Sequence, residues 1–349
     1  SSNNNNIATA SVSGNTVTIR GAGTTDLTAT QAGDTYYYAA PTATQTLTVN
    51  KANQTITFSS FATKTYGDAA ITLPATSSAG LTISYSSNNT SVASVNGNIL
   101  TINKAGTATI IASQSGNTNY TAANPVSHDI TIQKANQTIV WSNIPNKTYS
   151  DAPFTLPATT DKGLTIAYQS ANTDIATVSG NTVTIVGAGT VEITASQAGT
   201  DNYNASTSVT LPLTVNKAAQ TITFADLPTY TYGASPVTLS ASSNSGITVT
   251  YDSSDPNVAN ISGNILTINN AGTCYITASV AGSANYLTGT PVQKLLTVNK
   301  ASQTVNFDVI TDKTYGDAAF TLSASANTGL PVTFSSDTPA KLIVSGTTA

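Results

Sequence analysis

The sequence predicts an all-β protein, a tandem array of small β-sandwiches joined end to end. Three observations carry the prediction. Every landmark in the 349 residues returns 83 positions later, with no insertion or deletion between copies: Lys51-Ala52-Asn53-Gln54-Thr55 recurs, with small changes, at 134–138, 217–221 and 300–304. Apolar and polar residues alternate with period two, as on a strand with one buried face, and no segment shows the i, i+3, i+4 spacing of a helix. Gly, Asn, Ser and Pro interrupt short β-branched runs at regular intervals.

A repeat of roughly 20–50 residues is one supersecondary unit that needs neighbours to bury a core, whereas 83 residues suffice for a small domain of its own. The expected division is a partial repeat at 1–50, complete repeats at 51–133, 134–216 and 217–299, and a partial repeat at 300–349. The first partial copy holds the back of the motif and the last holds the front. The chain contains no Met, so residue 1 is expected to lie inside a longer reading frame.

The copy at 134–216 shows why each strand is expected. Gln137–Trp141 is β-branched and aromatic, and Pro145 with the Asn146–Asp151 run ends it. Phe154–Leu156 is a short second strand stopped by Pro157. Leu164–Tyr168 alternates. Ala176–Val178 and Thr182–Ile185 flank Ser179-Gly180-Asn181, a hairpin turn. Gly187-Ala188-Gly189 turns the chain into Val191–Ala195, where Glu192 and Thr194 are expected to face water. Val209–Val215 closes the unit. About seven short strands with such punctuation read as an Ig-like sandwich. Leu213–Asn216 then runs straight into Lys217–Phe224 without a Gly/Ser or Pro-rich linker, so a stiff, elongated rod is expected in which each copy touches only its neighbours.

Composition narrows the function. Charged residues are 8% of the chain, the formal charge is −4 and the pI is about 4.7. No basic stripe is available to neutralise phosphates, which argues against nucleic acid as a partner. No apolar run reaches the length of a membrane span. The Leu156–Thr160 run, which looks like a sortase signal, lacks its glycine and apolar tail and recurs at Leu73–Thr76, so it reads as part of the repeat. Cys274 is the only cysteine and cannot form a disulfide within the chain. It alternates with Ile276 and Ala278, as a buried small residue would.

The run Asp174–Ile185, continued through Gly187-Ala188-Gly189-Thr190, Ala195–Gly199 and Asn202-Tyr203, resembles the bacterial Ig-like repeats of large surface proteins. Lys134–Thr138 and Lys147-Thr148-Tyr149 are similar to related repeats of Bacteroidetes surface proteins. The resemblance covers essentially the whole chain. It implies Ig-like sandwiches exported to the cell exterior and strung into a stalk, commonly in adhesins. The long gliding adhesins of flavobacteria, delivered by type IX secretion, share the pattern, and nothing in these residues separates them from other repeat adhesins of the same bacteria. The resemblance brings no catalytic residues with it.

Candidate chemistry is sparse. His128 is the only histidine and its counterparts are Gln45, Leu211 and Lys294, so it reads as an exposed loop or strand-edge residue. Asp68, Asp151 and Asp317 follow a recurrent tyrosine, but the third complete copy has Ala234 there. A calcium site needs six to eight oxygen ligands; solvated loop acids are the simpler reading, and no metal or cofactor is expected. Phe58, Trp141, Phe224 and Phe307 are expected in the cores. Tyr66, Tyr149, Tyr232 and Tyr315 form one recurring set and Tyr37, Tyr120, Tyr203 and Tyr286 another. For these, a ring buried on a sandwich with its hydroxyl bonded to a loop competes with a row of sugar-stacking platforms. Tyr36, Tyr37 and Tyr38 cluster only in the first copy and are the best candidate contact patch.

The expectation is a non-enzymatic stalk segment of an extracellular, cell-surface adhesin, projecting a distal binding domain, with the neighbouring repeats as its partners. In the alternative, each repeat is itself a weak module for a glycan or protein ligand, strengthened by multivalency.

Overall fold

A computed structural model describes residues 1–10 and 15–346, and among these there is no helix. The expected partial repeats 1–50 and 300–349 each extend into the positions outside that range. Each complete copy builds the same pair of facing sheets. In the copy at 134–216 the larger sheet runs in the order Lys147–Thr148, Val209–Asn216, Gly189–Ser196, Ala167–Ser170. The first of these is parallel to its neighbour and the others are antiparallel. The smaller sheet holds Phe154–Thr155, Thr182–Ile185 and Ala176–Ser179, and a two-stranded ladder pairs Ile139–Val140 with Thr159–Thr160.

The core lies between these sheets and follows from the alternation. In Gly189–Ser196, Val191, Ile193 and Ala195 are buried, Glu192 is exposed and Thr194 is half-buried. Register sets Val191 opposite Leu213 and Ile193 opposite Leu211. Ile193, Leu213, Val183 and Ala176 are fully buried, and each large apolar side chain so removed from water contributes about 1.5–3 kcal/mol. Three separate buried clusters result, spanning residues 56–132, 141–215 and 224–298.

Two local outcomes differ from the sequence reading. Lys147-Thr148, expected inside a break, forms a short parallel pair with Val215-Asn216. Leu164–Ile166, expected in a strand, has no ladder partner, because its neighbour ends at Ser196, opposite Ala167. Pairing instead extends forward to Ser170.

Gly189 has φ +148°, and a Cβ there would lie 2.9 Å from Ile175 Cδ1. The recurrent glycine of this turn therefore makes room for an apolar side chain from the turn that precedes the strand Ala176–Ser179.

Candidate functional site at the joints between copies

The recurrent Gln of the opening motif anchors the front of each sandwich to its back. Gln54 is buried; its amide nitrogen donates to Gln114 Oε1 and to the Thr121 carbonyl at 2.7 Å, and its Oε1 accepts from Ser77 Oγ at 2.7 Å. Gln137 donates to Gln197 Oε1 at 2.5 Å and to the Asn204 carbonyl at 2.7 Å. Gln220 donates to the carbonyls of Ala281 and Leu287. Nothing in the sequence singles these glutamines out, because Lys, Ala and Thr of the same motif recur as strictly and only its third position varies.

The Lys-Thr-Tyr turn is built by an acid. Asp68 Oδ2 accepts the Thr65 amide at 3.0 Å, Asp151 the Thr148 amide at 2.9 Å and Asp317 the Thr314 amide at 2.9 Å. These carboxylates cap a turn. Ala234 keeps only the backbone bond to the Thr231 carbonyl, which explains how one copy dispenses with the acid. The tyrosine that follows is fixed by its own amide: Tyr66 donates to the Gln133 carbonyl at 2.8 Å and Tyr149 to the Asn216 carbonyl at 2.8 Å. Its ring points beyond its own copy.

The receiving surface is the loop before the last strand. In the copy at 134–216, Thr200 Oγ1 accepts the amides of Asn202 and Tyr203 at 3.2 Å, and Lys134 Nζ donates to the Thr200 carbonyl at 2.7 Å. A parallel bridge joins Ala135 to Tyr203. Asn202 and Tyr203 are thus presented together to the preceding copy. Asn202 Oδ1 accepts the Ala105 amide at 3.0 Å, and Tyr203 meets Tyr66 edge-on, with ring centroids 5.5 Å apart and planes at 87°. The next joint repeats this arrangement: Asn285 Oδ1 accepts the Ala188 amide at 2.9 Å, and Tyr286 meets Tyr149 at 5.4 Å and 80°. At the first joint Asn119 Oδ1 accepts the Ala22 amide at 2.9 Å.

One edge-on aromatic pair contributes about 0.5–1.5 kcal/mol beyond its burial, and one hydrogen bond about as much. Together they suffice to favour one orientation of the joint. The joint between 51–133 and 134–216 adds an ion pair, Lys104 Nζ to Asp201 Oδ2 at 2.8 Å. Hydrogen bonding and charge from Lys104, with a smaller contribution from Lys134, hold the Asp201 carboxyl below its ordinary value of 3.8. The counterparts Gly187 and Ala284 leave the next joint without it.

Of the residues expected in cores, Phe58, Trp141 and Phe224 are buried, each edge-on to Tyr85, Tyr168 or Tyr251. Phe307, in the partial copy at 300–349, is 50% exposed. The tyrosine whose hydroxyl ties down a loop is also a different one: Tyr85 Oη accepts the Ala75 amide at 2.9 Å and donates to the Leu73 carbonyl at 3.1 Å. Tyr66 and Tyr149 sit half-buried in joints, while Tyr232 and Tyr315 are exposed. Tyr36, Tyr37 and Tyr38 are 87%, 76% and 100% exposed. His128 is half-buried, its Nε2 2.9 Å from the Phe58 carbonyl oxygen. Cys274 is buried, with Ser253 Oγ 3.6 Å from its sulfur. Among the described residues no three His, Cys, Asp or Glu side chains gather as a metal site would require.

No protein family profile matches the sequence, and no curated protein matches it. Solved structures of low similarity do. Drosophila N-cadherin EC1–4 is 13% identical over 80% of this chain and 83% of its own, with a TM-score of 0.24. Domains 1–6 of the surface layer protein SbsC are 16% identical over 92% and 51%, at 0.23. Sidekick-1 immunoglobulin domains 1–5 are 12% identical over 82% and 69%, at 0.25. Scores this low carry no argument about function.

Proposed function

We propose that this chain is a segment of an extracellular bacterial stalk, whose purpose is to hold a distal adhesive domain away from the cell. The observation that supports it best is the recurrence of the joint. The same Asn-to-amide hydrogen bond joins each of three successive pairs of copies, and the same tyrosine pair recurs at two of them, with no linker between copies. A chain selected for reach needs a fixed increment per copy and resistance to bending at each joint. Chemistry at a unique site needs neither. Small-angle scattering on arrays of two, three and four complete copies tests the reading. The maximum dimension should rise by a constant increment per copy. A radius of gyration that follows compact-globule scaling would refute it.

A second reading, each copy as a weak binding module, has one observation in its favour. The same groove opens in all three complete copies, lined in the first by Leu73, Thr82, Tyr85 and Asn98 and in the others by their counterparts, with volumes of about 540, 370 and 620 Å³ in chain order and no charged side chain. A neutral polyhydroxylated ligand would suit it. Glycan-array binding by the whole chain that is lost on replacing Asn98, Asn181 and Asn264 together with Ala would favour this reading over the stalk alone.

A further inference from the structure

Tyr36-Tyr37-Tyr38 stands in the loop that receives the preceding copy at every later joint. Tyr36 is the counterpart of Asn119, Asn202 and Asn285, and Tyr37 that of Tyr120, Tyr203 and Tyr286. The loop is already built in the receiving shape. Asp34 Oδ1 accepts the amides of Tyr36 and Tyr37 at 2.8 and 2.9 Å, as Asn117 Oδ1 does for Asn119 and Tyr120. Gln31 Oε1 accepts the Gly33 amide at 2.8 Å, as Gln197 Oε1 does for Gly199. The Asp34 amide donates to the Tyr37 carbonyl at 2.9 Å, as the Thr200 amide does to that of Tyr203. What differs is the cover. Tyr120, Tyr203 and Tyr286 are half-buried, each bridged to the opening motif of its own copy at Ala52, Ala135 or Ala218, and Tyr203 and Tyr286 also meet a tyrosine of the copy before them; Tyr37 has neither contact and is open.

We propose that the Tyr36–Tyr38 loop is the receiving half of a joint, and that its occupant is a further copy of this repeat, seated by its Lys-Thr-Tyr turn. Tyr37 takes the edge-on place of Tyr203. Tyr36 removes the short carboxamide that elsewhere accepts a backbone amide, so this joint exchanges a hydrogen bond for aromatic packing on the same turn. The cluster is then a variant of the array's own interface. Three exposed phenols on one preorganised loop, in register with an interface seen twice elsewhere in the chain, fit a tyrosine-bearing turn better than an unrelated ligand. Joint geometry carries this assignment independently of what the array does, so its failure would leave the scattering test of the stalk untouched.

The test compares three chains by tetranitromethane nitration, with each tyrosine read by mass spectrometry. The first is the 349-residue chain. The second carries residues 51–83 ahead of residue 1, which completes the first sandwich without adding a neighbour. The third carries residues 51–133 and then 51–83 ahead of residue 1, which supplies both. Nitration of Tyr37 should be fast in the first two and fall by roughly a factor of 10 in the third, the ratio equivalent to about 1.4 kcal/mol of docking. Replacing the tyrosine of the added leading copy, the equivalent of Tyr66, with Ala should restore it. Equal reactivity of Tyr37 in all three chains would overturn the proposal and leave the cluster as open surface. Protection already complete in the second chain would overturn it too, by assigning the cover to the loop's own sandwich. Tyr66→Ala in the original chain, read at Tyr203, is the internal control for the size of the effect.

Discussion

Ser150 holds φ at 75°, the one non-glycine residue at positive φ among those described. Its counterparts Gly67, Gly233 and Gly316 adopt φ of 93°, 87° and 102° in the same turn. An L-residue there costs about 1–2 kcal/mol, partly offset by the chain entropy that glycine would lose on folding. Ser150→Gly should therefore stabilise the copy at 134–216 by about 0.5–1 kcal/mol, measurable as slower hydrogen exchange of its core amides. The recurrent glutamine offers a paired comparison. Gln54 has both ends of its amide satisfied, whereas Gln137 Oε1 has no partner, because Thr160 directs its hydroxyl to Leu164. Gln54→Ala should cost about 1–3 kcal/mol and Gln137→Ala less, since one buried polar atom of the latter is already unpaired. Equal losses in denaturant titrations of the two variants would contradict this account.

Elements become a device at the joint, where one turn and one loop from different sandwiches meet. Asn202→Ala removes the acceptor of the Ala105 amide and Tyr203→Ala removes the aromatic pair. Each should leave both sandwiches folded and broaden the distribution of distances between spin labels placed on either side of the joint, the double variant more than either alone. The joint carrying Lys104 and Asp201 should also respond to acid. The carboxyl of Asp201 is lowered in the docked state, so its contribution is present above the ordinary value of 3.8 and is lost as pH falls through the lowered one. Acidification, or high salt at neutral pH, should thus broaden this joint and leave the joint of Asn285 and Tyr286 unchanged. Both side chains are substantially exposed, so the effect will be modest.

Over the whole molecule the decisive fact is that the three buried clusters share no residue. Stability is then a sum of sandwich terms and nearest-neighbour joint terms, as in other linear arrays. Pulled from its ends, the chain should unfold in three similar steps, each releasing close to the 83 residues of one copy. A single cooperative rupture would mean that the joints dominate the cores. Close sequence identity between neighbours also invites exchange of strands during refolding, so refolding yield should fall as copies are added.

Strand content, copy length and the alternation that fills each core are legible in the amino-acid order, because period-two patterning and turn residues act locally and the 83-residue repeat confirms each assignment on itself. Phe58, Trp141 and Phe224, an aromatic repeated at one position of each complete copy, are buried. Long-range pairing is not legible in that order. The parallel pairing of Lys147-Thr148 with Val215-Asn216, the burial of Gln54, and the meeting of Tyr66 with Tyr203 all depend on segments brought together across more than 60 residues. Two tyrosines that recur in all three complete copies, Tyr66 and Tyr85, look alike in a string of letters. Only the packed structure sends one into a joint and the other onto its own loop, because the direction of a side chain at a turn is set by the backbone hydrogen bonds that hold that turn, and those bonds come from the far end of the sandwich.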